Sequence, residues 1–222
     1  MQRRINNCQR GESLLEVIIA VSILSTIMVS VFSLLIRGSA TNVNVTNRVV
    51  AINVAREGAE AVRNIRDTNW LKYSGNRRGK WLCLDTVAAK NACEGTNMSQ
   101  IQTGVYTVDF SGDDGRYYLE SQNLGMQLTD KKTLPINENY RLYLGAQGRF
   151  THLATGGEVT KFYRQIYLEP EAGWLSATCN SEGCPTQERL LVSVRVQWQE
   201  DKAVRYLDIE TYLYDFFGRD EY

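Results

Sequence analysis

The chain has 222 residues, in which 25 lysines and arginines balance 25 aspartates and glutamates. A formal charge of zero excludes a global electrostatic pull toward nucleic acid or an anionic surface. The length allows one sizeable domain plus an appendage.

The first eleven residues hold Arg3, Arg4 and Arg10 and no acid, so without them the chain would carry 22 basic against 25 acidic residues. Leu14 to Ile36 follows, 23 residues with a single charged side chain, Glu16. As a helix this stretch is long enough to span roughly 30 Å of hydrocarbon. A secretory signal peptide has a shorter apolar core, and the small residues of "RGSAT" at 37–41 would be its only cleavage site. The long core and the adjacent Arg37 argue for an anchor instead. A basic N-terminus argues against a third reading, a buried helix of a soluble core. Arginines ahead of the span belong on the cytoplasmic side, so the remainder faces outward.

Of five cysteines, Cys8 lies in the leader, while Cys83, Cys93, Cys179 and Cys184 lie beyond the span. An even number in an exported domain predicts disulfides. Three pairings are open, and the local one, Cys83–Cys93 with Cys179–Cys184, is favoured by proximity in sequence. A four-cysteine zinc site is the rival. It fits poorly, because the gap in the first pair is too wide for a C-x₂₋₄-C knuckle.

There is no proline before Pro135, so a helix need not stop where the membrane stops. "GSATNVN" is a weak point in helix propensity. From Arg48 to Trp70 an amphipathic pattern returns, with Val45, Val49, Ile52, Ala55, Ala59, Val62 and Ile65 at spacings of three and four. Unbroken from Glu12 to Trp70, such a helix would be on the order of 88 Å long, and half of it would have to protrude from a compact domain. Gly75 and Gly79 in "SGNRRGKW" end it.

The pattern then changes period. "GVYTVDF" and "RYYLES" flank "SGDDG", a hairpin signature. "YRLYLGAQGRFTHL" and "KFYRQIYLEP" follow, then "ERLLVSVRVQWQE" and "AVRYLDIETYLYDF". Their alternation predicts antiparallel strands with one wet face. The helix at 48–70 covers the dry face, giving an α+β architecture: one long N-terminal helix packed on an antiparallel sheet. The expected divisions are a leader at 1–11, a membrane helix at 12–37, its amphipathic continuation at 38–74 and a β-rich globular domain at 75–222.

The start of the chain resembles the type IV pilin superfamily, which includes pilins, minor pilins and the pseudopilins of type II secretion. The resemblance rests on a basic leader ending in Gly11, then "ESLLE" with Glu16 five residues past the glycine, then an unbroken apolar helix. It implies that a prepilin peptidase cuts between Gly11 and Glu12 and methylates the new amino group. It also implies that Glu16 guides assembly with other pilin subunits. "VSVRVQWQEDKAVRYLDIETYLYDF" looks like the final hairpin of V-type or I-type minor pilins. One departure is Glu12, where the family usually has phenylalanine or another apolar residue.

The physical account of Glu16 runs parallel to the resemblance. A carboxylate in the bilayer costs about 3 kcal/mol or more unless paired, and cleavage after Gly11 would create an ammonium at Glu12 to pair with it, in a neighbouring chain. In a lone membrane helix, Glu16 would instead reach the headgroups. Ala20, Ser22, Ser25, Ser30 and Ser33 are small enough to let helices approach closely, or are simply tolerated by bonding their own backbone.

Other candidates are fewer. His152 has no histidine partner and reads as structural. Asp113 and Asp114 in "SGDDG" could hold a hard cation, but a plain turn accounts for them. "NWLKYSGNRRGKW" mixes Lys72, Arg77, Arg78 and Lys80 with Trp70, Tyr73 and Trp81. That composition can bind single-stranded nucleic acid or a sugar, and a solvated loop with tryptophans anchoring the helix end explains it equally. Nothing calls for a metal or a cofactor, and no enzyme motif is present. Two alternatives to a filament subunit stand beside it: an uncleaved single-pass receptor or adhesin, and a DNA-binding competence minor pilin.

Overall fold

The computed structural model describes residues 14–94, 99–124, 136–145, 148–171, 189–200 and 203–215. The chain divides into two compact units, Met1–Asn47 and Arg48–Tyr222. The long helix α1, Leu14–Lys72, contributes to both. The short α2 spans Arg77–Lys80, capped by the Asn76 side chain, which accepts from the Gly79 amide at 3.0 Å. Seven strands follow among the described residues: β1 Gly104–Ser111, β2 Arg116–Leu124, β3 Arg141–Leu144, β4 Phe150–Thr151, β5 Glu158–Glu171, β6 Arg189–Glu200 and β7 Ala203–Tyr214. One long N-terminal helix followed by a seven-stranded antiparallel sheet is the α+β, pilin-like arrangement the sequence predicts.

In the first unit, every residue from Leu14 to Ser39 is exposed. Four hydroxyls within this apolar run are satisfied by their own helix. Ser22 donates to the Ile18 carbonyl at 2.8 Å, Ser25 to Val21 at 2.7 Å, Thr26 to Ser22 at 2.9 Å and Ser30 to Thr26 at 2.9 Å. The expected weak point at "GSATNVN" is helical. Thr41 and Thr46 bond back to the carbonyls of Arg37 and Asn42, at 3.0 and 2.9 Å, and no proline interrupts the ladder.

In the second unit, β5 is the axis of the sheet. One of its edges pairs with β1 near Ile166–Leu168 and with β3 near Glu158–Tyr163. Its other edge pairs with β6 over ten residues, and β6 pairs with β7 in unbroken register from Arg189↔Tyr214 to Glu200↔Ala203. β1 and β2 form the hairpin expected around "SGDDG", with Gly115 at φ 69° closing the turn, where an L side chain would be strained. The stretch read as one strand over Tyr140–Leu153 is two, β3 and β4, because Gly148 takes φ 72° and turns the chain back.

The core lies between α1 and the face of the sheet carrying Phe162, Ile166, Leu168, Val192, Val194 and Val196. The helix presents Ala51, Val54, Ala55, Ala61, Val62 and Ile65. This stripe keeps Ala55, Val62 and Ile65 of the expected one but not its start: Val45 and Val49 are more than half exposed, at 56% and 51%. Small side chains hold the contact because Gly58 brings helix and sheet close. A Cβ there would sit 3.1 Å from both Arg164 Cδ and Val194 Cγ1.

The wet face expected of β6 is also dry. Ser193, Arg195 and Gln197 point away from the helix and are buried nonetheless. A central strand is shielded by long neighbours on both sides. Asp208 of β7 takes two bonds from the Arg195 guanidinium, at 2.8 and 2.7 Å, and Tyr206 lies over it at 4.6 Å. Alternation alone does not show this cover.

Candidate functional site

Two regions carry the residues singled out by sequence. In the first unit, α1 is the one described helix long and apolar enough to cross a membrane. Its richest window has a mean hydropathy of 2.5, and none of it is buried. Glu16 lies near the start of its described part and is exposed. Gly11, Glu12, Arg3, Arg4, Arg10 and Cys8 lie outside the described residues, as do Cys179 and Cys184.

The second region is the carboxyl end of α1, where the basic and aromatic residues are knitted into a clasp. Lys72 Nζ bonds Asp85 at 2.7 Å and the Lys90 carbonyl at 2.8 Å, over the Tyr73 ring. Burial would lower its pKa, but the bonds it donates to Asp85 and Tyr73 outweigh burial and raise the ammonium above its ordinary range. Lys80 donates to the Cys93 carbonyl at 2.9 Å and shares the Tyr73 ring from 5.0 Å. Asn69 Nδ2 bonds the carbonyls of Trp81 and Cys83, at 3.1 and 2.9 Å, and the Trp81 side chain is buried in the core. Arg66 stacks on Trp70 at 4.5 Å. Arg77 and Arg78 are exposed on α2. The structure thus uses Lys72, Tyr73, Lys80 and Trp81 to tie the helix end to the following loop, and only the two arginines are exposed enough to meet a ligand.

The Cys83–Cys93 disulfide pins the same loop, with Cα atoms 6.1 Å apart. Asp85 lies close enough to form a three-ligand set with the two sulfurs. The chemistry of that set does not suit a metal, because a thiolate is the metal ligand. The sulfurs are spent in the disulfide, and the Asp85 carboxylate is taken by Lys72 and by the Ala92 amide at 3.1 Å.

The acids of "SGDDG" divide. Asp114 accepts from the Tyr118 hydroxyl and pairs with Lys90 at 3.0 Å, and these bonds hold its carboxyl well below the usual range. Burial and the same carboxylate push Tyr118 up to about 12. Asp113 is exposed. A cleft of about 280 Å³ lies along α1, lined by Glu57, Glu60, Ala61, Arg63, Asn64, Asp67 and Tyr117, with Glu60 already paired to Arg63 at 2.6 Å.

Buried Arg164 of β5 and Asp109 of β1 also escaped sequence reasoning. Arg164 is 1% exposed. It donates to the carbonyls of Val54 and Val108, at 3.5 and 3.2 Å, with Glu57 at 3.8 Å. Asp109 accepts from the Thr151 hydroxyl and the His152 amide, at 2.8 and 2.7 Å. Neither announces itself, since both sit in ordinary strand alternation. The ring nitrogens of His152 are buried with no hydrogen bond of ordinary geometry, and burial pushes its pKa down to about 3.

Residues 6–32 match the family described as the prokaryotic N-terminal methylation motif. This is the type IV prepilin-type signal, and it fits the pilin superfamily. It supports a pilin-like substrate of prepilin peptidase, in a family that is structural rather than catalytic. No curated protein and no solved structure matches the chain.

Proposed function

We propose that the chain is a minor pilin or pseudopilin, a non-enzymatic subunit of a type IV pilus-like filament. Arg3, Arg4 and Arg10 keep the leader on the cytoplasmic side. Prepilin peptidase cuts between Gly11 and Glu12 and methylates the new amine. Residues 12–37 hold the subunit in the cytoplasmic membrane, with the globular part outside, until it joins other pilin subunits through α1. Glu16 then meets the Glu12 amine of a neighbouring subunit and sets axial register, since an ion pair between helices is far stronger in a low-dielectric bundle than in water.

The observation that carries this reading is the methylation-motif match at residues 6–32, which overlaps the start of a long helix whose apolar run at 14–36 holds Glu16 as its one charge. The testing experiment is mass spectrometry of the N-terminus of membrane-extracted protein. A start at methylated Glu12 is expected. A start at Met1 would favour a single-pass anchor, and one at Thr41 a cleaved secretory signal. Either would overturn the proposal.

A further inference from the structure

The sheet forks along one edge of β5. β1 pairs with that edge from Gly104 to Tyr106, opposite Leu168 to Ile166. β3 pairs with it from Arg141 to Leu144, opposite Tyr163 to Glu158. Beyond Tyr106, β1 runs on without a ladder to β5, and side chains bridge the gap. The Arg164 guanidinium donates to the Val108 carbonyl of β1 at 3.2 Å. Asp109 of β1 reaches across to the end of β4. One of its oxygens accepts from the Thr151 hydroxyl at 2.8 Å and from the His152 amide at 2.7 Å.

The segment that Asp109 holds has few other ties. β4 is two residues long and pairs with β3 at two positions. Its anchor is at the other end, where Phe150 packs against the core and Arg149 lies over Phe110 at 4.1 Å. Leu153 to Gly156 are exposed, and β5 begins at Glu158. Residues 151–156 therefore form a flap that meets β1 through one carboxylate. A segment with so few buried contacts opens at far lower cost than the whole unit unfolds.

The His152 ring lies in this fork, with both nitrogens buried and no hydrogen bond of ordinary geometry. Arg164 of β5 repels a positive charge there, and β3 supplies only the Arg141 backbone. Glu57 of α1, Asp109 of β1 and Tyr117 of β2 face the Arg164 guanidinium. A charged imidazole has two N–H donors to satisfy, and lifting the flap brings both to water.

We infer that residues 151–156 are an acid-released flap. Charging of His152 draws its ring into water, parts Thr151 and the His152 amide from Asp109, and opens the fork between β1 and β3. The edge of β1 beyond Tyr106 and the Arg164 guanidinium are uncovered by the same movement. The closed flap holds His152 at a pKa of about 3, against 6.5 for a free ring. At about pH 4.5 the open form takes up a proton that the closed form refuses, so opening gains about a hundredfold over about pH 7.5.

The test is hydrogen–deuterium exchange of full-length protein in detergent micelles at about pH 7.5 and about pH 4.5, corrected for the intrinsic rate at each pH. The reporters are the amides of His152 and Leu153, bonded to Asp109 and to the Thr151 hydroxyl. Their protection should fall about a hundredfold on acidification while the amides of β6 keep theirs. In His152→Leu the fall should vanish. Thr151→Val removes one bond to Asp109 and should speed exchange of the flap roughly fivefold at about pH 7.5. Circular dichroism checks that each variant folds, and Thr151→Val decides alone if His152→Leu does not. Protection indifferent to acid, an equal fall in His152→Leu, or no effect of Thr151→Val overturns the inference. So does an equal fall in β6, which would make acidification weaken the whole unit rather than release the flap.

Discussion

Acidification should weaken the second unit through His152. Its ring nitrogens are buried and make no hydrogen bond, and the fully buried Arg164 guanidinium adds repulsion. The nearby Arg141 backbone favours the charged form, but burial dominates and places the folded-state pKa at about 3, against 6.5 for a free histidine. Between those values the unfolded chain binds a proton that the folded chain refuses. Stability is therefore highest above pH 6.5, falls as pH drops toward 3, and levels off below. At about pH 4.5, two units below the free value, the linked loss is roughly 3 kcal/mol. Carboxylates with depressed folded pKa values, such as Asp114, lose their contribution over an overlapping, lower range, so the wild type alone does not isolate the effect. His152→Leu does, because it removes the titrating ring and leaves the carboxylates. Urea unfolding in micelles at about pH 7.5 and about pH 4.5 should show wild type losing roughly 3 kcal/mol more than the variant. Equal losses in both proteins would refute the assignment of a buried neutral histidine.

Three further outcomes are expected. Gly58→Leu should lower stability by roughly 2–3 kcal/mol. Even a Cβ meets Val194 and an Arg164 that its bonds keep from moving aside; an unchanged denaturant midpoint would show that helix and sheet can separate freely. Replacing Cys83 and Cys93 together by serine should cost about 2–3 kcal/mol, as expected for closing a loop this short, and reductant should reproduce the loss in wild type; thermal unfolding measures both. Glu16→Ala should leave membrane insertion intact and deplete the subunit from sheared filaments. Normal filament recovery by immunoblot would end the pairing role.

Much of the fold was legible because period is legible. The long helix and the hairpin around "SGDDG" follow from spacing and turn residues, while the final hairpin was what the resemblance implied. The helix face was right at Ala55, Ala59, Val62 and Ile65 and wrong at its start, because periodicity registers apolar residues wherever they point. Val45 and Val49 fit the spacing, yet the packed stripe runs through alanines and Gly58, whose value is closeness rather than hydrophobicity. The dry outer face of β6 was hidden for a related reason. Arg195 and Gln197 read as solvent-facing, and only the pairing with Asp208 and Tyr206 shows how they are covered. The aromatic and basic loop after α1 has the composition of a ligand patch. Its geometry is largely that of a clasp, because Asp85 and two backbone carbonyls, none of which composition could place, absorb its lysines.

The hydroxyls of the apolar helix bear on a separate matter, the cost of changing surroundings. Ser22, Ser25, Thr26 and Ser30 each bond a carbonyl one turn back, so none asks anything of its neighbours. A helix that carries its own solvation can leave lipid for a protein bundle, or return, without breaking a hydrogen bond at these positions. In the proposed filament, the barrier to that transfer then falls chiefly on Glu16, a charged group whose partner the proposal places outside the helix.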